Sequence, residues 1–155
     1  MKLPAAFLSI AIFSLSSLSA GEFDKPFFIS LSGDWNGSGS LVSEGKTIPI
    51  TPARVRAEDK KNGTFTLEGD ITINGDLGLY SMTFAESNGV ITVEYANSDG
   101  VSVTMNALVD YAEKTALIKG PERVFRLKLD SKALFVELTK TGADAATAKL
   151  SLVRQ

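Results

Sequence analysis

Val101-Ser102-Val103-Thr104-Met105-Asn106-Ala107-Leu108-Val109-Asp110-Tyr111 decides the fold class. Val101, Val103, Met105, Ala107, Val109 and Tyr111 fall on one face of an extended chain, with Ser102, Thr104, Asn106 and Asp110 on the other. A side-chain period of two is the mark of a half-buried strand. The neighbouring segments share it. Phe65, Leu67, Ile71 and Ile73 oppose Thr66, Glu68, Asp70 and Thr72, and Ile91, Val93 and Tyr95 oppose Thr92 and Glu94. Farther on, Phe125, Leu127 and Leu129 oppose Arg126, Lys128 and Asp130, and Leu134, Val136 and Leu138 oppose Glu137 and Thr139. One wet face and one dry face belong to antiparallel sheet, since parallel strands covered on both sides read as continuous apolar runs.

Turn signals separate these segments. Lys61-Asn62-Gly63, Asn74-Gly75-Asp76, Ser87-Asn88-Gly89, Ser98-Asp99-Gly100 and Asp130-Ser131-Lys132 include dipeptides that accept the positive φ angles of tight hairpins. The spacing predicts strands at 35–43, 47–58, 63–73, 77–86, 89–96, 101–111, 114–119, 122–130, 133–140 and 145–154. Hairpin-length links make successive strands neighbours. The expected fold is therefore all-β, an antiparallel up-and-down meander of about eight to ten strands. Closure into a barrel removes the exposed edges of so long a meander, and a two-sheet sandwich is the alternative.

The chain opens Met1-Lys2, runs apolar from Leu3 to Leu18 and ends that run in Ser19-Ala20. This order of charged, apolar and small residues predicts a cleavable signal peptide over 1–20, cut after Ala20, and hence a periplasmic or secreted protein. A retained anchor is the competing reading, but a spanning helix needs about 20 strongly apolar residues, and this run is interrupted by serines. The division that follows is a signal peptide at 1–20, a lead-in segment at 21–34 and one barrel domain at 35–155. With Lys2 set aside, 15 basic residues face 18 acidic ones, a net charge of −3. Mild acidity argues against a nucleic-acid partner. The outward Glu68, Glu94, Arg126, Lys128 and Glu137 argue against stable membrane insertion as a lipid-facing barrel.

Gly33-Asp34-Trp35-Asn36-Gly37-Ser38-Gly39 has a Gly-x-Trp-x-Gly-x-Gly pattern, and Arg154 stands at the end of the last predicted strand. In these residues the chain resembles the calycin superfamily of lipocalins, fatty-acid-binding proteins and nitrobindin-like domains. The resemblance implies a calycin-like barrel in which Arg154 packs over Trp35 at the closed end, a structural pair. Nitrobindin-like haem ligation needs a histidine, and this chain has none. Glycines at 37 and 39, on the inward face with Trp35 and Leu41, either permit a bend and close packing or leave space for a ligand.

No His and no Cys are present, so histidine triads, thiol nucleophiles, nitrogen- or sulfur-ligated zinc, haem and iron–sulfur sites have no raw material. Glu68, Asp70, Glu94, Asp110 and Glu137 fall on polar faces or beside turns and form no convincing carboxylate pair. The chain is expected to be neither an enzyme nor a holder of a metal or cofactor. Asp70-Ile71-Thr72-Ile73-Asn74-Gly75 has the opening of a calcium loop, but its twelfth place is Ser81, where that loop needs glutamate. A hairpin explains the same residues. Asn36-Gly37-Ser38 and Asn62-Gly63-Thr64 match the glycosylation sequon and already have a role as bend or turn. Two basic clusters, Arg54, Arg56, Lys60 and Lys61, and Arg123, Arg126 and Lys128, would greet an anionic group if the fold joined them; otherwise they are solvated strand faces.

The leading functional expectation is an exported barrel that binds a small apolar ligand inside, lined by Trp35, Phe65, Leu67, Ile91, Val93, Tyr95, Val103, Met105 and Phe125. Barrels of eight or more strands can enclose such a space. The alternative is a non-enzymatic envelope interaction or inhibitor module with a packed core and an exposed patch around Tyr80 and Phe84. That patch requires Tyr80, Met82 and Phe84 to face out; the competing assignment turns them inward and puts Leu79 at a bulge.

Overall fold

The computed structural model describes residues 22–155, and the expected signal peptide lies outside the described residues. Ten strands follow one another: β1 (Gly33–Ser43), β2 (Lys46–Asp59), β3 (Thr64–Ile73), β4 (Asp76–Ser87), β5 (Val90–Asn97), β6 (Ser102–Asp110), β7 (Thr115–Gly120), β8 (Arg123–Asp130), β9 (Ala133–Lys140) and β10 (Ala146–Arg154). Each pairs antiparallel with the next, and β1 pairs with β10 as well as β2, so the meander closes into a barrel. The sandwich alternative is excluded. Closure satisfies the ladder hydrogen bonds that open edges would leave unmade.

The up-and-down course places the turns at two ends. Glu44-Gly45, Asn74-Gly75, Ser98–Gly100, Pro121-Glu122 and the 141–145 link lie at one end, where the barrel is open. The other end carries the remaining turns and the first residues of β1. Asn74 and Gly75 both have positive φ, 52° and 84°. They join β3 to β4 as a tight hairpin, so the calcium-loop spacing at 70–81 belongs to two paired strands.

The segment expected as a lead-in is structured. Glu22–Asp24 forms a 3₁₀ turn and α1 (Pro26–Leu31) a short helix. Phe27 and Leu31, four apart, share one face of α1, and Phe23 reaches the same cluster from the 3₁₀ turn. All three are buried together with Phe28, which is 0% exposed. Phe28 meets the rings of Phe23, Phe27 and Phe65 at 5.1 Å and that of Phe84 at 5.8 Å between centroids. The helix thus plugs the barrel's closed end with aromatic rings, two of them supplied by β3 and β4.

The C-terminal carbonyls of a helix lack intrahelical donors. Here Trp35 Nε1 donates to the Leu31 carbonyl at 2.8 Å, and Ser32 Oγ donates to that of Phe28 at 3.0 Å. Arg154 donates its two terminal nitrogens to the carbonyls of Ser30 and Ser32. The same guanidinium lies 4.3 Å from the centre of the Trp35 ring. Trp35 and Arg154 are Cα partners across the β1–β10 seam. One cation therefore caps the helix and covers the indole where the barrel closes.

Gly37 and Gly39 are explained by close packing. A Cβ on Gly37 would overlap the Ser151 carbonyl, and one on Gly39 the Lys149 carbonyl. The β10 backbone occupies the space, so the missing side chains leave no room for a ligand. Next to them the β1–β2 register shifts between Gly37 and Gly39, and Pro52, which has no N–H to give a ladder, sits in the β2 irregularity.

Candidate functional site: the open half of the barrel

Inward side chains divide into two layers. The closed half is filled: Trp35, Phe65, Phe84 and Val93 are at most 1% exposed and pack with the helix. The open half contains a cavity of about 200 Å³. Its wall on the β1–β3 side comes from Leu41, Ile50, Val55, Leu67, Ile71 and Ile73. On the opposite side β8, β9 and β10 supply Phe125 and Leu127, Leu134, Val136 and Leu138, then Ala148 and Leu150. Tyr80, Met82 and Tyr95 join them, with Gly69 and Ser81. The wall is almost wholly apolar, yet Leu41, Ile71, Ile73, Val136, Leu138 and Leu150 are only half-buried. Inward-facing aliphatic side chains that stay half-exposed mark a lumen the protein's own side chains do not fill.

Among the residues expected to line a ligand, Leu67, Tyr95 and Phe125 do so. Trp35, Phe65, Ile91 and Val93 point inward but belong to the plugged half. Met105 is buried and packs against Gly120, where a Cβ would come within 2.6 Å of its Cγ, and Val103 sits half-buried near the rim of β6. Strand periodicity shows which side chains face in, whereas the helix determines which end is filled.

Tyr80, Met82 and Phe84 face inward, and Leu77 and Leu79 are exposed at 61% and 52%. The β3–β4 register runs unbroken through Leu77, Gly78 and Leu79, so no bulge is needed to turn the leucines out. The surface patch expected around Tyr80 and Phe84 does not form. Tyr80 bends back over Gly78, its ring and hydroxyl 3.0 Å from where a Cβ would stand, so glycine is needed there for the ring to lie down.

The rim is where polarity enters. Tyr95 is buried, its ring 6.5 Å from that of Tyr80 and 5.3 Å from that of Phe125. Its hydroxyl accepts a hydrogen bond from Asn97 Nδ2 at 3.2 Å, and Arg123 lies over its ring at 5.8 Å. Burial pushes both phenols above their ordinary value; for Tyr95 the Asn97 hydrogen bond and the Arg123 charge pull the other way.

The two basic clusters are not brought together. Lys60 and Lys61 lie at the closed end, paired with Glu58 at 2.9 Å and Asp59 at 3.1 Å. Arg54 and Arg56 face out of β2, opposite Asp70 and Glu68 of β3. Arg126 faces out of β8 toward Glu137 at 3.5 Å, and Lys149 reaches the same carboxylate at 3.7 Å. These pairs lie in solvent, which screens them, so they add little to stability. Outside β1–β5 lies a larger concavity, about 940 Å³, bordered by Asp34, Arg54, Arg56, Glu68 and Asp70. It is open to solvent and its charges already face opposite charges across the ladder, so the smaller apolar lumen is the better ligand site.

No family model matches the chain, and no curated protein matches it. Twelve solved chains do. An S-type phycobiliprotein lyase, CPES, from Guillardia theta superposes with a TM-score of 0.55 at 8% identity, over 83% of this chain and 90% of that one. A de novo designed fluorescence-activating β-barrel aligns with a TM-score of 0.45 at 12% identity, over 80% of this chain and 93% of the design. At 8% identity the likeness to the lyase is one of fold alone.

Proposed function

We propose that this chain is a non-enzymatic, small-molecule-binding barrel of the calycin type that takes an apolar ligand into the open half of its lumen. The observation that carries the reading is the half-buried aliphatic wall of the 200 Å³ cavity, inside a barrel whose other end is sealed by α1. Its size lies below the roughly 300–1,000 Å³ of drug-sized sites, which suits one chain or one small ring. The stacked Trp35 and Arg154 support placing the barrel with the calycins, and the barrel shared with the phycobiliprotein lyase is in keeping with this reading. Export belongs to the same proposal: residues 1–20 act as a signal peptide, and the protein recovered from its cell begins at Gly21.

Ala148 lines the cavity from β10, and Ala148→Trp puts an indole into it. The wild-type protein enhances the fluorescence of the neutral apolar probe N-phenylnaphthylamine, and dodecanol displaces the probe. The variant, with its melting transition retained, loses the enhancement. Equal enhancement by the variant and the wild type would place the probe elsewhere and remove the support for an interior site.

A further inference from the structure

A glycine inside a strand weakens it, because it loses more backbone freedom on folding and offers no side chain to pack. All but one of the described glycines have a local reason to be glycine. Seven have positive φ, and at Gly37, Gly39, Gly78 and Gly120 a Cβ would stand 3.0 Å or less from a neighbouring atom. Gly69, in the middle of β3, has neither reason. Its Cβ would meet the Arg54 carbonyl oxygen at 3.4 Å and Val55 Cγ2 at 3.7 Å, which is ordinary contact. The fold has room for alanine there.

Gly69 lines the cavity, between its ladder partners Val55 on β2 and Tyr80 on β4. An aromatic ring on the neighbouring strand can cover such a glycine. Tyr80 does not: its ring leans over Gly78, two residues toward the open end, and the peptide at Gly69 stays bare. Beside that bare backbone runs an arc of three rings, Tyr80 to Tyr95 at 6.5 Å and 32°, then Tyr95 to Phe125 at 5.3 Å and 47°.

Resting on the reading of the lumen as a ligand site, we propose that Gly69 is its specificity-determining residue, and that the ligand presents a flat aromatic or conjugated ring lying on the bare backbone there. The ring occupies the place beside Gly69 that Tyr80 leaves open and extends the arc of Tyr80, Tyr95 and Phe125. An apolar cavity of about 150 Å³ takes one benzene ring. The lumen, at about 200 Å³, takes a ring system little larger. A rigid ring also loses less freedom on binding than a flexible chain.

The test measures, by calorimetry on the full protein, the dissociation constants of 2-naphthol, decahydro-2-naphthol and decanol. The three share ten carbons and one hydroxyl, and only the first is flat. 2-Naphthol should bind about tenfold more tightly than its puckered decahydro counterpart, the upper scale of one aromatic pairing. In Gly69→Val the two should come within about twofold of each other, with decanol still bound. Gly69→Ala should melt no lower than wild type, since it removes a strand glycine the packing does not require. Equal affinity for the two bicyclic alcohols in the wild-type protein, or a preference that persists in Gly69→Val, would overturn the role of Gly69 while leaving the cavity reading intact. A lowered melting point for Gly69→Ala would overturn it too, by showing that the fold itself needs the glycine. A wild-type protein that binds none of the three would overturn both readings.

Discussion

Phe28 is the residue on which the closed end depends, and Phe28→Ala tests that dependence quantitatively. The ring is 0% exposed and meets four other phenylalanine rings at centroid distances of 5.1–5.8 Å. Buried Phe→Ala changes cost about 3–5 kcal/mol through forfeited transfer energy and the cavity left behind. All four neighbouring rings stand edge-to-face with Phe28, and truncation removes every one of these pairings together. The cost therefore belongs in the upper part of that range, about 4–5 kcal/mol. For a barrel of this size each kcal/mol moves the melting point by about 3–5 °C, so the variant should melt about 12–25 °C lower. Ile29, on the same helix but 61% exposed, is the internal control, and Ile29→Ala should stay within about 0.5 kcal/mol of wild type. Calorimetry, with urea unfolding as a second measure, reads both. Phe28→Ala melting within about 3 °C of wild type would refute the account of α1 as the barrel's plug.

The other expectations are independent of that one. Gly39→Ala should destabilise by about 3 kcal/mol or more, because the new Cβ meets the Lys149 carbonyl rather than a yielding side chain; urea midpoints against Ser40→Ala measure it. Arg154→Ala should cost about 1–2 kcal/mol by removing the stacking on Trp35 and two helix-end hydrogen bonds, with Arg154→Lys recovering part, as chemical denaturation will show. Tyr80 and Tyr95 have folded-state values raised above the ordinary 10.0, so their contribution is full below that value and fades as pH rises through the folded one. An ultraviolet titration should show these phenols ionising later in the native protein than in urea, with stability falling over the same alkaline range.

Much of this architecture is legible in the sequence because strand period and turn chemistry are local signals. Val101–Tyr111 announces an inner and an outer face, and Asn74-Gly75 announces a hairpin, without help from distant residues. The position of the cavity is not legible, because it depends on which end of the barrel is filled. Phe27 and Leu31 are four apart, but a six-residue helix is too short for periodicity to distinguish it from a lead-in. For that reason the inward period assigns Trp35, Phe65 and Val93 to a ligand, whereas they face the plug. Tyr80 and Leu79 are ambiguous because both faces of β4 carry large apolar residues, and only pairing with β3 turns one of them inward.

Entry of a ligand into the lumen is read by methyl-resolved NMR during titration with dodecanol. Leu41, Ile71, Ile73, Leu138 and Leu150 inside the cavity should shift with saturation, while the exterior Leu77, Leu79 and Leu108 stay in place. Shifts confined to the exterior leucines, or no shifts at any concentration, would contradict the account.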